Sequence, residues 1–305
     1  MAPRAMKRVK PGLNGSTAPN HSTIAACWPD FAGSRTATRL PAQLRQMPDW
    51  KHPALWGRTL IVVAHPDDEA LALGGHLRAV RPWVWHLTGG APRNAPRPDQ
   101  LLRTRAKEWE AVRRIAGIAR RQVMGPTVAD QETFLHLVPL VRQLVAYLDR
   151  IRPSLVLTHC YEGGHPDHDS AAFICQAAIA RARQMPLLLE FPAYRNGAPH
   201  AGKVEWARGT FLPSAQETRH VTLSRAGRRV KQRMFAAYKS QRHFLEWLQP
   251  DPSVEVFRIA PGHNFQDPPH PGVLLYESFN WGIRGDHWRA HASGAAKRLA
   301  DRPWP

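Results

Sequence analysis

The sequence predicts an α/β fold in which a mostly parallel sheet is flanked by helices, with a smaller C-terminal region of strands and loops. Two observations predict this class. Short apolar runs rich in β-branched residues alternate with longer segments of helical periodicity between residues 57 and 200. After residue 200 the pattern changes, and the tail is rich in Pro, His, Gly and Trp. The length of 305 residues is sufficient for one large domain of this kind.

The first 50 residues differ in composition from the rest of the chain. They are basic and rich in Pro, Ser, Thr and Ala with little periodicity, which predicts a loosely ordered extension. They lack the apolar segment of a secretory signal, and no apolar stretch approaches the roughly 20 residues of a membrane-spanning helix. We therefore expect a cytoplasmic protein without a transmembrane segment. Residues 51–305 are predicted to form a single domain, in which residues 200–305 complete the pocket.

The alternation begins with the run TLIVVA at 59–64, which is typical of a buried parallel strand. Helical spacing of leucines predicts a helix over 67–80, and WVWHLT predicts a second strand over 83–88. A proline-rich loop at 91–100 then leads to a helix over 101–118, whose apolar residues fall on one stripe.

The pattern continues with a helix over 132–151, which contains Pro139, and a strand over 154–160. A glycine turn and a second helix come next, and PLLLEFP predicts a further strand over 186–192. Strand–helix alternation of this kind favours a parallel sheet covered by helices, a Rossmann-like arrangement.

The region beyond residue 200 is predicted in less detail. A strand is expected over 218–224 and one helix over 226–248. Residues 250–305 are expected to be mostly loops.

Two similar polar clusters stand directly after predicted strands. HPDDE occupies 65–69 and HPDHD occupies 165–169, and each precedes a helix. In open α/β sheets, ligands bind outside the carboxyl ends of the strands, near the point where the strand order reverses. If the two strands are neighbours, both clusters face one pocket, where helix N-termini add N–H donors and a positive field.

The clusters contain the residues of a metal site. His65 and Asp68 can reach one cation, and His168 can supply a third ligand from the second cluster. Two imidazoles and one carboxylate with an open position form the ligand set of a catalytic zinc site. Asp67 would then be free to act as a general base, and His165 to stabilise an oxyanion or to protonate a leaving amine.

Each cluster also has a purely structural interpretation. Asp67 could cap a helix whose first turn favours Asp68 and Glu69. His165 and His168 could be exposed loop residues. The presence of two such clusters, both at strand–helix junctions, favours the metal site.

Four motifs in this order resemble the PIG-L/LmbE-like family of zinc-dependent N-acetylglucosaminyl deacetylases. HPDDE and HPDH are the first two. RTRAKEWEA, with Arg105, Glu108 and Ala111, resembles the family's R-x-x-E-x-x-A helix, and KQRMFAAYKSQ at 231–241 resembles its late K…A…Y-x-S-Q helix. The resemblance covers about residues 57–250.

The resemblance implies roles for individual residues. His65, Asp68 and His168 would bind Zn²⁺, or another divalent metal, and Asp67 would be the base that activates the attacking water. His165 would be the electrostatic or acid partner at the amide carbonyl. Arg105 resembles a substrate-contacting position of the family. Asp167 is expected to tune His165, and Glu69 to hold the first loop. Glu190 and Tyr194 are expected to line the substrate pocket because they stand near the end of the strand predicted over 186–192.

The implied activity is hydrolysis of a linear amide C–N bond: removal of the N-acetyl group from an N-acetylglucosamine-type sugar conjugate, a small-molecule amino-sugar substrate. An amidase acting on a larger acyl conjugate of an amino sugar is the alternative within this chemistry. Which substrate is used is left open by the sequence, as is the oligomeric state.

The net charge of +18 permits nucleic acid, anionic membranes or acidic small molecules as partners. The Arg residues are scattered rather than gathered beside stacking aromatics, so we expect no nucleic-acid partner. The basic balance favours an anionic sugar substrate. A function of another class also remains open, namely a basic α/β protein that binds nucleic acid or another polyanion without catalysis.

The cysteines and the late histidines are expected to have no catalytic role. Cys27, Cys160 and Cys175 are odd in number and widely spaced, which favours reduced, structural thiols. No ligand spacing connects the histidines of the tail, which are predicted to be loop residues: His263, His270 and His287.

Overall fold

The computed structural model describes residues 57–126, 128–200, 203–249, 251–279 and 281–301. The predicted N-terminal extension and Cys27 therefore lie outside the described residues. Among the described helices, none is long and apolar enough to cross a membrane.

The centre of the described chain is a seven-stranded sheet. Its parallel strands are β1 (Thr59–Val63), β2 (Trp83–His86), β4 (Val123–Met124), β6 (Leu155–His159) and β7 (Leu187–Phe191). Two further strands, β10 (Arg219–Thr222) and β11 (Val254–Ile259), extend the sheet in the antiparallel sense. The strand order is β10–β11–β7–β6–β1–β2–β4, so β1 and β6 are neighbours, as the paired clusters require. Two small ribbons complete the strands: β3 (Thr88–Pro92) with β5 (Val128–Asp130), and β8 (Tyr194–His200) with β9 (Lys203–Arg208).

Helices cover both faces of the sheet. They are α1 (Asp68–Leu73), α2 (Leu77–Val80), α3 (Pro98–Ala116), α4 (Leu137–Ile151), α5 (Pro166–Ile179), α6 (Arg225–Ala237), α7 (Arg242–Leu248) and α8 (Gly285–Ala300). Side chains of β1 alternate between two apolar clusters because successive residues of a strand point to opposite faces. Leu60 and Val62 pack with α4, α5 and α8, whereas Ile61 and Val63 pack with α1, α3 and α6. The predicted fold class is confirmed.

The helix predicted over 67–80 is interrupted. Helix α1 ends before Gly74, and α2 begins at Leu77. The backbone N–H of Gly75 donates to a carboxylate oxygen of Glu255 (2.7 Å). A Cβ atom on Gly75 would lie 2.4 Å from a methyl carbon of Leu223, so a larger residue would displace the Leu223 side chain.

The helix predicted over 226–248 is also two helices, because side chains near the break bind elsewhere. Tyr238, at the end of α6, has a non-helical backbone, and its hydroxyl donates to Glu69 (2.5 Å). The backbone N–H and hydroxyl of Ser240 both donate to Glu108 (2.7 Å each). These bonds fix the turn between α6 and α7 against α1 and α3.

Two smaller differences concern helix starts and the tail. Residues 133–136 form a 3₁₀ turn, and α4 begins at Leu137, which places Pro139 in the first turn, where it is tolerated. The tail predicted to be mostly loops also contributes a strand and a long helix, β11 and α8. Helix α8 buries a stripe made largely of alanines. Because alanine is only weakly hydrophobic, this stripe gives the sequence little helical periodicity.

Candidate metal centre and active site

The first cluster forms the tight connection from β1 to α1. Asp68 Oδ2 accepts from the backbone N–H of His65 (2.8 Å), which closes the loop on itself. Asp67 has φ = 131°, a region that non-glycine residues rarely adopt. The loop is buried, so its carboxylates depend on partners within the protein.

Glu69 supplies several of these partners. Its Oε2 accepts from the backbone N–H of Asp67 (3.0 Å) and lies 2.9 Å from His86 Nε2, while its Oε1 accepts from the Tyr238 hydroxyl (2.5 Å). A side chain with these bonds can hold the loop in the strained conformation. This placement agrees with the structural role predicted for Glu69.

The second cluster forms the connection from β6 to α5. His165 caps α5, since its Nδ1 accepts from the backbone N–H of Asp167 (3.2 Å). The preceding Gly164 packs directly against the backbone of Tyr194, and a Cβ atom there would lie 1.8 Å from the Tyr194 carbonyl oxygen. Glycine is required at this position for the cluster to approach the β8 strand.

The two clusters meet at one point. Ligand atoms of His65, Asp68 and His168 all lie within 4.8 Å of one another. His65 Nδ1 is 3.3 Å from Asp68 Oδ2, and His168 Nε2 is 3.6 Å from Asp68 Oδ1. His168 is buried, yet neither of its ring nitrogens has a hydrogen-bond partner among the described residues. An unpartnered buried imidazole beside a carboxylate and a second imidazole fits a divalent metal such as zinc.

Charge in the cluster also fits a cation. Burial would raise the pKa of Asp68, but the imidazole of His159 beside it holds that pKa well below its usual range. Burial lowers the pKa of His168 well below its usual range, so the ring is neutral, the form that binds metals. A deprotonated carboxylate and a neutral imidazole are the protonation states that metal binding requires.

Two further residues belong to the centre but were not predicted from the sequence. His159 Nε2 lies 3.2 Å from Asp68 Oδ2, and its ring stacks on His168 with centroids 3.8 Å apart. Asp130 Oδ1 lies 3.1 Å from His65 Nε2, and with His65, His165 and Asp167 it forms a second group of potential ligands. His159 lies within the strand predicted over 154–160, and strand periodicity does not distinguish it. Asp130 ends the three-residue strand β5, which is too short for a periodic pattern.

Asp67 lies beside the metal cluster without belonging to it. Its Oδ2 accepts from Arg105 Nη2 (3.0 Å), which also donates to the Pro66 carbonyl oxygen (2.6 Å). Burial raises the pKa of Asp67 to about 7, although the guanidinium of Arg105 opposes that rise. A carboxylate with a pKa near neutrality is suited to accepting and returning a proton. Arg105, predicted to contact substrate, binds the predicted base and also lines the cavity.

His165 and Asp167 are two positions apart in the sequence. The hydrogen bond between them involves the backbone N–H of Asp167 and not its carboxylate. The carboxylate of Asp167 accepts from the backbone N–H groups of Gln131 (2.6 Å) and Thr133 (3.1 Å), and it lies 3.5 Å from His65 Nε2. Burial, together with His65, lowers the pKa of His165 to about 4. With its Nδ1 accepting from the backbone, neutral His165 carries its proton on Nε2. It is therefore placed to act as a hydrogen-bond donor.

A cavity of about 360 Å³ opens over these groups. Tyr194 and Arg105 line it, as predicted for the substrate pocket. Glu190 does not: it is buried in β7, where it lies 2.6 Å from both Arg258 Nε and His263 Nε2. His263, predicted to be a loop residue, is thus part of a buried charge network. Cys160 and Cys175 are buried and free, in agreement with the expected reduced thiols.

The comparisons with known proteins agree with this geometry. The sequence model of the family described as "PIG-L: GlcNAc-PI de-N-acetylase" matches residues 60–179, the segment that contains both clusters and Asp130. The match covers less than half of the chain, and within that segment it confirms the resemblance inferred from the motifs.

Two bacterial proteins similar to this chain are described as 1D-myo-inositol 2-acetamido-2-deoxy-alpha-D-glucopyranoside deacetylases. The protein of Rhodococcus erythropolis is 32% identical over 157 residues, which is 41% of this chain and 53% of that protein. The protein of Streptomyces griseus is 28% identical over 191 residues, which is 50% of this chain and 55% of that protein. The chain thus spans about half the length of the curated relatives it matches.

The fold is shared with a solved archaeal structure. The N,N'-diacetylchitobiose deacetylase of Pyrococcus horikoshii superposes with a TM-score of 0.51 at 18% identity, covering 70% of this chain and 88% of that chain. At this level of identity the likeness concerns the fold alone.

Proposed function

We propose that the protein is a zinc-dependent hydrolase that removes the N-acetyl group from an N-acetylglucosamine-type sugar conjugate. The observation that carries the proposal is the convergence of His65, Asp68 and His168 beside Asp67, a carboxylate outside the ligand group. The inositol-linked and chitobiose substrates in the names of the relatives support the class of substrate.

The residues divide the chemistry between them. Zinc bound by His65, Asp68 and His168 would polarise the amide carbonyl and make water more acidic. Asp67 accepts a proton as water adds to the carbonyl carbon, with Arg105 holding the carboxylate in place. His165 donates a hydrogen bond from Nε2 to the oxyanion that develops on the carbonyl oxygen. The C–N bond then breaks, and the proton passes from Asp67 to the leaving amine, which yields acetate and a free amino sugar.

The proposal is tested by metal removal and by one substitution. Chelation should abolish amine release from N-acetylglucosamine conjugates, and zinc should restore it. Asp67→Asn should lower kcat by about 10²-fold or more, because the amide cannot accept the proton. Asp286→Asn, at an exposed carboxylate in α8, serves as the matched control and should retain activity. Activity that is indifferent both to chelation and to Asp67→Asn would contradict the proposal.

The cavity also supports a second candidate within the same chemistry, an amidase acting on a larger acyl conjugate of an amino sugar. The volume of about 360 Å³ falls within the roughly 300–1,000 Å³ of small-molecule sites. The length of the carboxylic acid released distinguishes the two candidates. If no amide is hydrolysed and the protein instead binds polyanions in a steeply salt-dependent manner, the non-catalytic interpretation is favoured. A cytoplasmic location and the absence of a nucleic-acid partner stay predictions from the sequence.

A further inference from the structure

One side of the cavity is built from aromatic rings, which we call the aromatic wall: Tyr194, Trp206, Phe244, Phe279 and Trp281. The rings contact one another in sequence. Phe244 lies edge-on to Tyr194 (centroids 5.6 Å apart), and Tyr194 stacks on Trp206 (5.5 Å). Trp206 lies edge-on to Phe279 (5.9 Å), which stacks on Trp281 (4.6 Å). The wall is therefore a continuous, mutually supported apolar surface rather than scattered rings.

The aromatic wall adjoins the proposed catalytic residues at two points. The Tyr194 ring lies 5.3 Å from that of His168, and the Trp281 ring lies 4.8 Å from that of His165. A group resting on the wall would thus be next to the reacting amide. The wall residues all lie outside residues 60–179, the segment matched by the family model. The segments that follow residue 179 in this chain therefore form this part of the pocket.

The wall is incompletely covered by protein. Phe244 is 37% exposed, and Trp206, Phe279 and Trp281 are partly exposed. When an apolar ligand covers a contiguous apolar surface at a cavity mouth, water is released from that surface, and this release favours binding. Leu71, Leu245 and Leu248 extend this surface around the cavity.

The cavity offers no free guanidinium or ammonium group to an anionic ligand among the described residues that line it. Arg105 is the only Arg or Lys in that lining, and its guanidinium is engaged by Asp67. The other ionisable groups of the lining are carboxylates, including Asp130, and the imidazoles of the two clusters. The basic net charge of the chain therefore lies elsewhere, and the expectation of an anionic substrate finds no support in the pocket.

We propose that the aromatic wall is a subsite for an uncharged apolar group, aryl or alkyl, that the substrate carries close to its amide. This inference rests on the proposed deacetylase function and narrows its substrate class to amphiphilic amino-sugar conjugates. The sugar hydroxyls face the polar side formed by Asp130, Gln131 and Gln241, while the apolar group lies on Trp206 and Trp281. The apolar group can be attached at the glycosidic position or can be the acyl group itself.

Binding is tested without catalysis by calorimetric titration with phenyl β-D-glucopyranoside, which has no amide. The zinc-loaded protein should bind it at least about tenfold more tightly than glucose or glucose 1-phosphate. Trp281→Ala should remove this preference, and Trp281→Phe, which keeps a ring, should retain most of it. Met185→Ala, at an exposed apolar residue outside the cavity, is the matched control. Equal affinity for the three ligands, or tighter binding of the phosphate, would overturn the subsite.

Kinetics then identify where the apolar group is attached. Phenyl N-acetyl-β-D-glucosaminide and N-octanoylglucosamine are compared with N-acetylglucosamine. A higher kcat/KM for either one, lost in Trp281→Ala, supports the subsite and assigns the group to the glycosidic or the acyl side. Equal kcat/KM for the three substrates would overturn it. Failure to hydrolyse any of them while the calorimetric preference persists would overturn the deacetylase proposal and leave the apolar subsite supported.

Discussion

At the scale of single residues, the site depends on a strained backbone held by specific bonds. Asp67 adopts φ = 131° although it has a side chain, which costs on the order of 1–3 kcal/mol. Arg105 binds its carboxylate, and Glu69 binds its backbone N–H. The three acids of HPDDE are therefore inequivalent: Asp68 faces the proposed metal, Asp67 faces the cavity and Glu69 anchors the loop.

Sequence motifs were sufficient to identify the residues of the two clusters but not all of their neighbours. His65, Asp68 and His168 stand in motifs whose spacing relative to strand ends places them at one edge of the sheet. His159 and Asp130 lie outside the motifs. The pairing of β6 with β1 brings His159 to the same point, and the short ribbon of β3 and β5 brings Asp130 there. Glu190 illustrates the opposite error, because an acid at a strand end was predicted to line the pocket, whereas Arg258 and His263 bind it in the interior.

A buried carboxyl group behind the second cluster makes stability depend on pH. Burial raises the pKa of Glu162 to about 8, and the nearby carboxylate of Asp169 adds to the rise. Its Oε1 accepts from the backbone N–H groups of Ala193 (2.8 Å) and Tyr194 (3.1 Å), while its Oε2 has no hydrogen-bond partner in the described structure. The folded chain therefore keeps a proton that the unfolded chain releases above about pH 4.5.

Glu162→Gln should flatten this dependence. Since the folded pKa is raised, the native state loses stability as the pH rises from about 4.5 towards about 8, and glutamine cannot ionise. The free energy of unfolding is measured by urea denaturation at pH 5 and at pH 8. Its decrease between these two pH values should be smaller in the variant than in the wild type, by about 1 kcal/mol or more. Glu217→Gln, at an exposed carboxylate, controls for the loss of a charge. The same pH dependence in Glu162→Gln and wild type would refute the assignment.

At the scale of secondary-structure elements, α6 connects the C-terminal half to the loop between β1 and α1. The buried Lys231 Nζ donates to the Leu71 carbonyl oxygen in α1 (2.8 Å) and lies 3.3 Å from Glu255 Oε1 in β11. Glu255 also binds Gly75 and His76 at the α1–α2 turn. The sequence predicted α6 from its periodicity and likened its residues to a family motif. It did not predict β11, because the residues that bind β11 to the turn are distant in sequence.

The Lys231–Glu255 pair should show strong energetic coupling. Glu255→Gln leaves a buried ammonium without its counterion, and Lys231→Met leaves a buried carboxylate without its cation, so each should cost about 3 kcal/mol or more in the free energy of unfolding. The double variant should lose less than the sum, because neither charge is then left alone. Urea denaturation of the two single variants and the double variant measures the coupling. Additive losses would indicate that the two side chains act independently.

At the scale of the whole molecule, the proposed metal centre joins separate parts of the chain. His65 and Asp68 follow β1, whereas His168 belongs to α5, which follows β6. The neighbouring positions of β1 and β6 bring these ligands together. A metal bound by all three would bind the folded state and not the unfolded chain, so folding and binding are linked.

Zinc should therefore raise the melting temperature of the metal-free protein. At a free concentration about 100-fold above Kd, a single site stabilises the folded state by about 2.7 kcal/mol, and for a domain of this size each kcal/mol corresponds to about 2–4 °C. His168→Gln removes one ligand and should abolish most of the rise, measured by calorimetry with and without zinc. His287→Gln, at an exposed histidine of α8, should respond as the wild type does. If zinc raised the melting temperature of both variants equally, the ion would be stabilising the fold from a site other than the one formed by the two clusters.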